Sequence, residues 1–308
     1  MVWSPTDNGL SVSGLNLWLQ DRFAFNVYYL EGLEAVQTWR KEMAYGSLVQ
    51  AGIEGWIKTQ QTKGMLRFIQ QEFDRQVEEY GLSEEIEWWA KLACHQCSIF
   101  VDLYAHDLTK LTTSERHAEA LITLPSGREI KLHGYLDGEG PAILFENKVR
   151  GKWDVDVLTD NLPMDLQYNY YLLLLQSEGT LPDLVWYQHC RRPGSWGFKG
   201  PRRKKSESKD EHRLRTEQHM TDNKDYYFYR YFGKPTLQDL EKFCYACMYP
   251  MLEAFLDWYE FKMSSDSPPN RFDWMTPYGL YNPFTEGTPE KFREYRLTGS
   301  SAGLRRRK

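Results

Sequence analysis

A short apolar run that carries two charged residues restricts the fold more than any other stretch of the chain. Ile143, Leu144 and Phe145 are typical of a strand buried on both faces, and the run continues through Glu146 and Lys148. Side chains alternate along a strand, so Glu146 and Lys148 share one face. Because Glu and Lys are rarely buried without a partner, the run predicts an α/β sheet with a polar site on this face.

Asp137 lies nine positions before Glu146, at a glycine-rich turn formed by residues 138–141. If a preceding strand ends at this turn, a hairpin brings Asp137 beside Glu146 and Lys148. Two carboxylates and one ammonium are typical of a site for a hard divalent metal ion. The alternative interpretation is a surface hairpin with solvated charges, since such triplets are common in proteins.

The chain changes from helical to β-like patterns after about residue 110. Apolar residues at helical spacing predict helices over 11–33, 42–59, 64–80 and 83–104. Three short β-like runs follow at 118–124, 129–136 and 142–150, and their turns predict a three-stranded antiparallel meander. We then expect a helix with Pro163 in its first turn that ends at Gly179, strands over 183–189 and 226–232, and a helix that starts at Thr236 and is kinked by Pro250.

This order predicts an α/β fold in which a mixed central sheet is flanked by helices behind a helical N-terminal region. The predicted parts are a helical N-terminal part (1–110), a core (111–190), a basic flexible loop (191–223), a strand and helix completing the domain (224–265), and an extension with a disordered basic tail (266–308).

Composition limits the compartment and the partners. The net charge of −5 argues against a protein that binds nucleic acid nonspecifically over its whole surface. An acidic protein can still have a local basic groove. The N-terminal residues lack the pattern of a signal peptide, and no run of 18 apolar residues occurs, so we expect a soluble cytoplasmic protein without membrane contact.

The five cysteines include two Cys-x-x-Cys pairs, Cys94 with Cys97 and Cys244 with Cys247. An odd number of cysteines argues against a disulfide framework. Four cysteines can hold a zinc ion or an iron–sulfur cluster, but each pair falls on an apolar helical stripe. We therefore interpret both pairs as core residues rather than metal ligands.

Gln167 and Tyr171 share one face of the helix that follows the meander, and we expect this face to point back towards Asp137, Glu146 and Lys148. With them, residues 10–190 resemble the PD-(D/E)XK nuclease superfamily and, within it, the RecB-like branch. The matching motifs are Gly134-x-x-Asp137, Glu146-x-Lys148 and Gln167-x-x-x-Tyr171. Residues 10–18 resemble the opening segment of these nucleases, and Gly46-x-x-x-Gln50 stands where the family usually has Gly-x-x-x-His.

The resemblance implies a restriction-endonuclease-like core that binds Mg²⁺ or Mn²⁺ through Asp137 and Glu146, with a main-chain carbonyl from Val149 or from the Asn147–Lys148 backbone. It implies that Lys148 orients or activates the attacking water. It also implies that Gln167 and Tyr171 position the metal-site residues or the nucleic acid strand. Gln50 takes the place of the family histidine as a metal contact. Other candidates for that place are Glu54, His133 and His95.

The function that this resemblance implies is a metal-dependent DNA nuclease. The favoured type is an exonuclease that acts on ends or single strands. The alternatives are a structure-specific endonuclease, a nucleic-acid-binding module with weakened catalysis, and a hydrolase of small phosphoesters. The expected partner is DNA, with RNA as the alternative nucleic acid. A helicase or recombination protein is a candidate partner protein. Basic residues 202–205 can contact phosphates, and Trp153, Trp196 and the aromatics of 226–231 can stack on bases or pack in the core.

Overall fold

The computed structural model describes residues 3–35, 39–151, 154–194 and 199–264, together with the short pieces 275–276, 279–280 and 304–306. The fold is α/β, as the sequence predicts, and two mixed sheets are flanked by helices. The first sheet has the order β1-β4-β3, with bounds β1 (Leu10–Ser11), β3 (Arg116–Thr123) and β4 (Glu129–Leu136). The second has the order β5-β6-β7-β8, with bounds β5 (Gly138–Gly140), β6 (Ile143–Arg150), β7 (Leu184–Arg191) and β8 (Phe228–Gly233).

The predicted three-stranded meander is wrong. β3 and β4 form the expected antiparallel hairpin, but β6 belongs to the second sheet. Residues 138–140, expected as a turn, form β5 and pair antiparallel with the start of β6, while β7 pairs parallel with its other edge. A strand has only two edges, so β6 has none left for β4 where these pairs form.

Three long helices of the N-terminal region form as their periodicity predicts: α3 (Lys41–Thr59), α4 (Thr62–Tyr80) and α5 (Glu84–Leu108). Glycines let these helices approach closely, since a Cβ on Gly52 would lie 2.6 Å from the Cys97 sulfur and one on Gly55 would lie 2.8 Å from Phe68. The helix predicted over 11–33 is broken, because Asp21 adopts an extended conformation and its side chain accepts a hydrogen bond from the Ala24 N–H. The pieces are α1 (Val12–Gln20), α2 (Arg22–Phe25), a π-helical turn (Asn26–Leu30) and the short strand β2 (Leu33–Ala35).

β6 separates two hydrophobic clusters. Leu144 packs in a cluster with α7 (Leu166–Ser177), the first sheet and the C-terminal helices. Phe145, on the opposite face, packs in a cluster with α3, α4 and α5.

The helix predicted after the meander is α7. It starts later than predicted, because the Asp165 side chain caps it, and Pro163 lies in the preceding 3-10 turn (Leu162–Met164).

The segment 191–223 is not a loop throughout. It contains α8 (Lys209–Asp222), which begins with a capping box formed by Ser208 and Glu211. Its mainly polar sequence gives little helical periodicity, so the cap was the only signal in the sequence. Two further short helices are α6 (Val155–Asn161) and α9 (Lys224–Tyr227).

The C-terminal helix begins after Thr236, which caps it as predicted, but it is divided by a π-helical segment (Cys244–Met248) directly before Pro250. Proline has no N–H to donate to the preceding turn, which favours a widened turn at this place. The two α-helical parts are α10 (Leu237–Phe243) and α11 (Tyr249–Ser264).

Three further strand pieces lie in the C-terminal extension: β9 (Met275–Thr276), β10 (Gly279–Leu280) and β11 (Leu304–Arg306). β11 pairs antiparallel with β2, so the tail predicted as disordered is ordered at these three residues. The remainder of the tail lies outside the described residues. Within the described ranges, no helix is long and apolar enough to cross a membrane.

Candidate active site

The candidate site lies where the two sheets meet. Asp137 is the single residue between β4 and β5, while Glu146 and Lys148 lie on β6. A cavity of about 650 Å³ opens here between β6 and the N-terminal half of α3. Its walls include Gln50, Glu54, Asp137, Lys148 and Val149.

Asp137 lies beside β6, although the hairpin between β4 and β6 that was expected to bring it there does not form. The Asn147 backbone N–H donates a hydrogen bond of 2.7 Å to Asp137 Oδ2. Asn147 lies between Glu146 and Lys148, so this contact holds Asp137 against the strand that carries both. The three charged residues are therefore brought together, although β4 and β6 belong to different sheets.

Glu146 is completely buried and only partly satisfied by hydrogen bonds. Its Oε2 lies 3.1 Å from Lys148 Nζ and accepts a hydrogen bond of 3.4 Å from Gln167 Nε2. Its Oε1 has no hydrogen-bond partner among the described residues. A buried carboxylate oxygen without a partner is costly, which points to a cation as its missing ligand.

Burial makes both acids harder to ionise, and at Glu146 the charge of Asp137 adds to the effect. Burial and then the neighbouring charge of Asp137 raise the pKa of Glu146, against the opposing effect of Lys148. Burial likewise raises the pKa of Asp137, while Lys148 and the Asn147 N–H oppose the rise. Burial lowers the pKa of Lys148, but Glu146 and Asp137 outweigh it and raise that pKa overall. Lys148 is therefore an ammonium at neutral pH.

Gln167 and Tyr171 lie one turn apart on α7, and both face β6 as the sequence predicts. Gln167 Nε2 donates to the Tyr171 hydroxyl over 3.2 Å as well as to Glu146. Gly134 of the hairpin makes room for this helix, because a Cβ there would lie 2.7 Å from the Tyr171 ring. The Gly134-x-x-Asp137 motif therefore fixes both the distance of α7 and the position of the acid.

The donor set fits a hard divalent ion. Asp137 and Glu146 would hold Mg²⁺ or Mn²⁺, which prefer carboxylate and carbonyl oxygens. The N–H and C=O of a strand residue point to the same side, so the Asn147 carbonyl shares the side of Asp137, and Val149 borders the same cavity. Within the described ranges no group of three or more His, Cys, Asp or Glu side chains converges on a metal position, so the ion would also need main-chain oxygens or water.

Gln50 lies on the opposite face of β6 from Glu146. Its Oε1 accepts a hydrogen bond of 3.0 Å from Asn147 Nδ2, and its Nε2 donates to Glu115 over 3.1 Å. Gln50 therefore contacts the residue that holds Asp137. Glu54 borders the cavity and is paired with Lys58.

The two histidine candidates lie elsewhere. His133 packs against the His117 ring on the outer face of the first sheet. His95 contacts Glu217 and Thr221 of α8.

Glu115 is a site residue that the sequence reasoning missed. It lies directly before β3 with a left-handed φ of 52°, which is strained for a residue other than glycine. Burial raises its pKa, and the nearby Asp137 adds to the rise. The register of the hairpin could have located it, because Arg116 pairs with Leu136 and the preceding residue therefore lies opposite Asp137.

The remaining sequence candidates are spread over the molecule. Cys97 and Cys244 are buried in different hydrophobic clusters, as the core interpretation expects. Tyr227 is buried as well, whereas Trp153 and Trp196 lie outside the described residues. Arg192, at the start of the basic segment, reaches the cavity rim, where it lies 3.3 Å from Glu42.

A family model described as the PD-(D/E)XK nuclease superfamily matches residues 9–252. This span includes both sheets, α7 and every residue of the site. No curated protein matches the chain.

Proposed function

The chain belongs to the PD-(D/E)XK nuclease superfamily, and from this premise we propose that it is a divalent-metal-dependent deoxyribonuclease of the RecB-like branch. We further propose that it is an exonuclease that degrades DNA from ends or as single strands. The Gln167–Tyr171 pair beside Glu146 supports the assignment to the RecB-like branch. A structure-specific endonuclease would use the same residues and is the nearest rival.

The observation that carries the proposal is the unpartnered Oε1 of the buried Glu146, beside Asp137 and Lys148. A structural ion pair would have both carboxylate oxygens satisfied, whereas a metal ligand keeps one free for the ion. The bound ion would supply Lewis-acid stabilisation of the phosphate and a more acidic water.

Lys148 acts on charge in this proposal rather than as a base. Its pKa is raised by Glu146 and Asp137, so it has no lone pair to accept a proton from water at neutral pH. Its ammonium can orient the attacking water and stabilise the negative charge that grows on the phosphate oxygens. Gln167 holds the Glu146 carboxylate in place, and Asn147 holds Asp137.

The decisive experiment is digestion of end-labelled linear DNA and closed circular DNA with Mg²⁺ or Mn²⁺. We expect the wild-type protein to degrade the linear substrate and to leave the circle intact, and EDTA to abolish the activity. The Lys148→Ala variant should lose at least 100-fold in rate, because an interaction made with the transition state is removed. Lys209→Ala is the matched control, since Lys209 forms an exposed ion pair with Glu84 far along the sequence from the site.

Three results would change the proposal. Cleavage of the circle would favour the endonuclease. Binding of DNA without any metal-dependent cleavage would favour a binding module. Equal activity of the Lys148→Ala variant and the wild type would refute the assigned site.

A further inference from the structure

The outer face of the β3–β4 hairpin carries an exposed aromatic side chain beside the candidate site. Even-numbered residues of β4 face the hydrophobic core, so Tyr135 points outward, and 57% of its surface is exposed. Its ring contributes little to the hydrophobic core and is accessible to a ligand.

Tyr135 is part of a row of rings. The His117 ring lies 5.0 Å from the Tyr135 ring and 5.6 Å from the His133 ring, measured between centroids. His117 pairs directly with Tyr135 in the hairpin register. The rings therefore form a continuous surface across two strands.

The row leads into the candidate site. Asp137 follows Tyr135 by two residues, at the bend where β4 ends, so their Cα atoms lie at most about 7 Å apart. Glu115 lies two residues before His117, outside β3, and accepts a hydrogen bond from Gln50 at the cavity. The rings therefore lie next to two acids of the candidate site, one following β4 and one preceding β3.

We propose that Tyr135, supported by His117, stacks an unpaired base of a DNA strand whose phosphate lies at Asp137 and Glu146. The inference rests on the proposed function and names its substrate as single-stranded DNA or a frayed end. Aromatic rings on an open sheet bind unpaired bases because every base has a π-face. A duplex keeps its bases stacked on each other and offers no such face.

The composition of this surface favours a nucleic acid strand over a protein partner. The rings alternate with charged residues, such as Glu119 and Lys131, which form an ion pair of 2.8 Å. Two imidazoles add hydrogen-bond donors and acceptors among the rings. A protein-docking core would be depleted of such charges.

The test is equilibrium binding of a fluorescent single-stranded oligonucleotide in EDTA, where hydrolysis does not interfere, combined with cleavage in Mg²⁺. We expect Tyr135→Ala to weaken single-strand binding about tenfold, which corresponds to the loss of one stacked base. Tyr135→Phe keeps the ring and should bind like wild type. Tyr245→Ala is the matched control, because Tyr245 is 67% exposed on the π-helical segment at the C-terminal end of the fold.

The binding arm is independent of catalysis, so the two proposals can fail separately. If the wild type cleaves nothing but Tyr135→Ala still loses single-strand affinity, the proposed function fails and the stacking surface stands. If the wild type cleaves DNA and Tyr135→Ala binds and cleaves normally, the stacking surface is refuted alone. Three further results would overturn it. One is that Tyr135→Ala loses as much affinity for blunt duplex as for single strands. The others are that the wild type does not bind single strands, or that it binds the matching RNA more tightly.

Discussion

At the scale of single residues, the site depends on a line of polar contacts that crosses β6. Glu115 accepts from Gln50, Gln50 accepts from the Asn147 side chain, and the Asn147 backbone donates to Asp137. The Asn147 amide is buried, so its orientation is fixed by these partners. We therefore propose that Gln50 acts on Asp137 through Asn147, as a positioning residue.

The first prediction concerns Gln50. Gln50→Ala should weaken Mn²⁺ binding about tenfold, because contacts behind metal ligands are typically worth 10- to 100-fold in affinity. Isothermal titration of the metal-free protein with Mn²⁺ measures this directly. Gln70→Ala, on the exposed face of α4, is the control and should bind as wild type does. Unchanged affinity in Gln50→Ala would show that Asp137 is held without it.

The residues of the site differ in how far the sequence could predict them. Glu146 and Lys148 stand out because charged residues interrupt an apolar strand, which is a local signal. Glu115 gives no local signal, since an acid before a strand is common and its left-handed φ is set by the folded hairpin. Gln50 borders the cavity, but its contact with the Asn147 side chain depends on how α3 packs against β6.

At the scale of elements, the spacing between α7 and β4 is set by a glycine. Tyr171 fills the space that a side chain at position 134 would occupy. Tyr170, next to it, accepts from the His133 N–H and donates to the Leu10 carbonyl, which ties α7 to β4 and β1. Any displacement of α7 would move Gln167 away from Glu146.

The second prediction compares two glycines. Gly134→Ala should destabilise the protein by about 1–3 kcal/mol, because the added methyl overpacks the contact with Tyr171, and it should lower cleavage by shifting α7. Gly46→Ala should leave the free energy of unfolding unchanged or raise it by up to about 1 kcal/mol, because its Cβ would lie 3.9 Å from Val149 within a helix. Urea unfolding of both variants measures the difference. A Gly134→Ala protein as stable as wild type would contradict this role of the contact.

The elements also show where sequence reasoning stops. Helices α3, α4 and α5 form from local periodicity, and Ser83 caps α5, so their predicted bounds agree closely with the structure. The pairing of β6 is a long-range property, because β7 comes from residues more than thirty positions later. The predicted meander paired β4 with one edge of β6, whereas the short strand β5 pairs there in the structure. Its three residues, Gly-Glu-Gly, have low strand propensity, so the sequence did not indicate a strand.

At the scale of the whole molecule, the acids of the site make stability depend on pH. The pKa values of Glu146 and Asp137 are raised in the folded protein, chiefly by burial. The folded state therefore keeps protons that the unfolded chain has already lost, and stability falls as pH rises through the folded pKa values. The raised pKa of Lys148 acts in the same direction, but only at strongly alkaline pH.

The third prediction follows from this linkage. The free energy of unfolding of the metal-free protein should fall by about 1–3 kcal/mol between about pH 5 and pH 8, since each unit by which a pKa is raised corresponds to about 1.4 kcal/mol. Glu146→Gln should remove most of the fall, because its amide cannot ionise and replaces the protonated acid without a change of shape.

Mg²⁺ or Mn²⁺ should restore stability at the upper end of this range by about 2.7 kcal/mol at 100 times its dissociation constant, since the ion binds the ionised acids of the folded state. Thermal unfolding across this pH range, with EDTA or metal, measures both effects. If Glu146→Gln has the same pH slope as wild type and gains the same stabilisation from metal, Glu146 is neither the titrating group nor a ligand, and the paired carboxylates at the junction of the two sheets have a purely structural role.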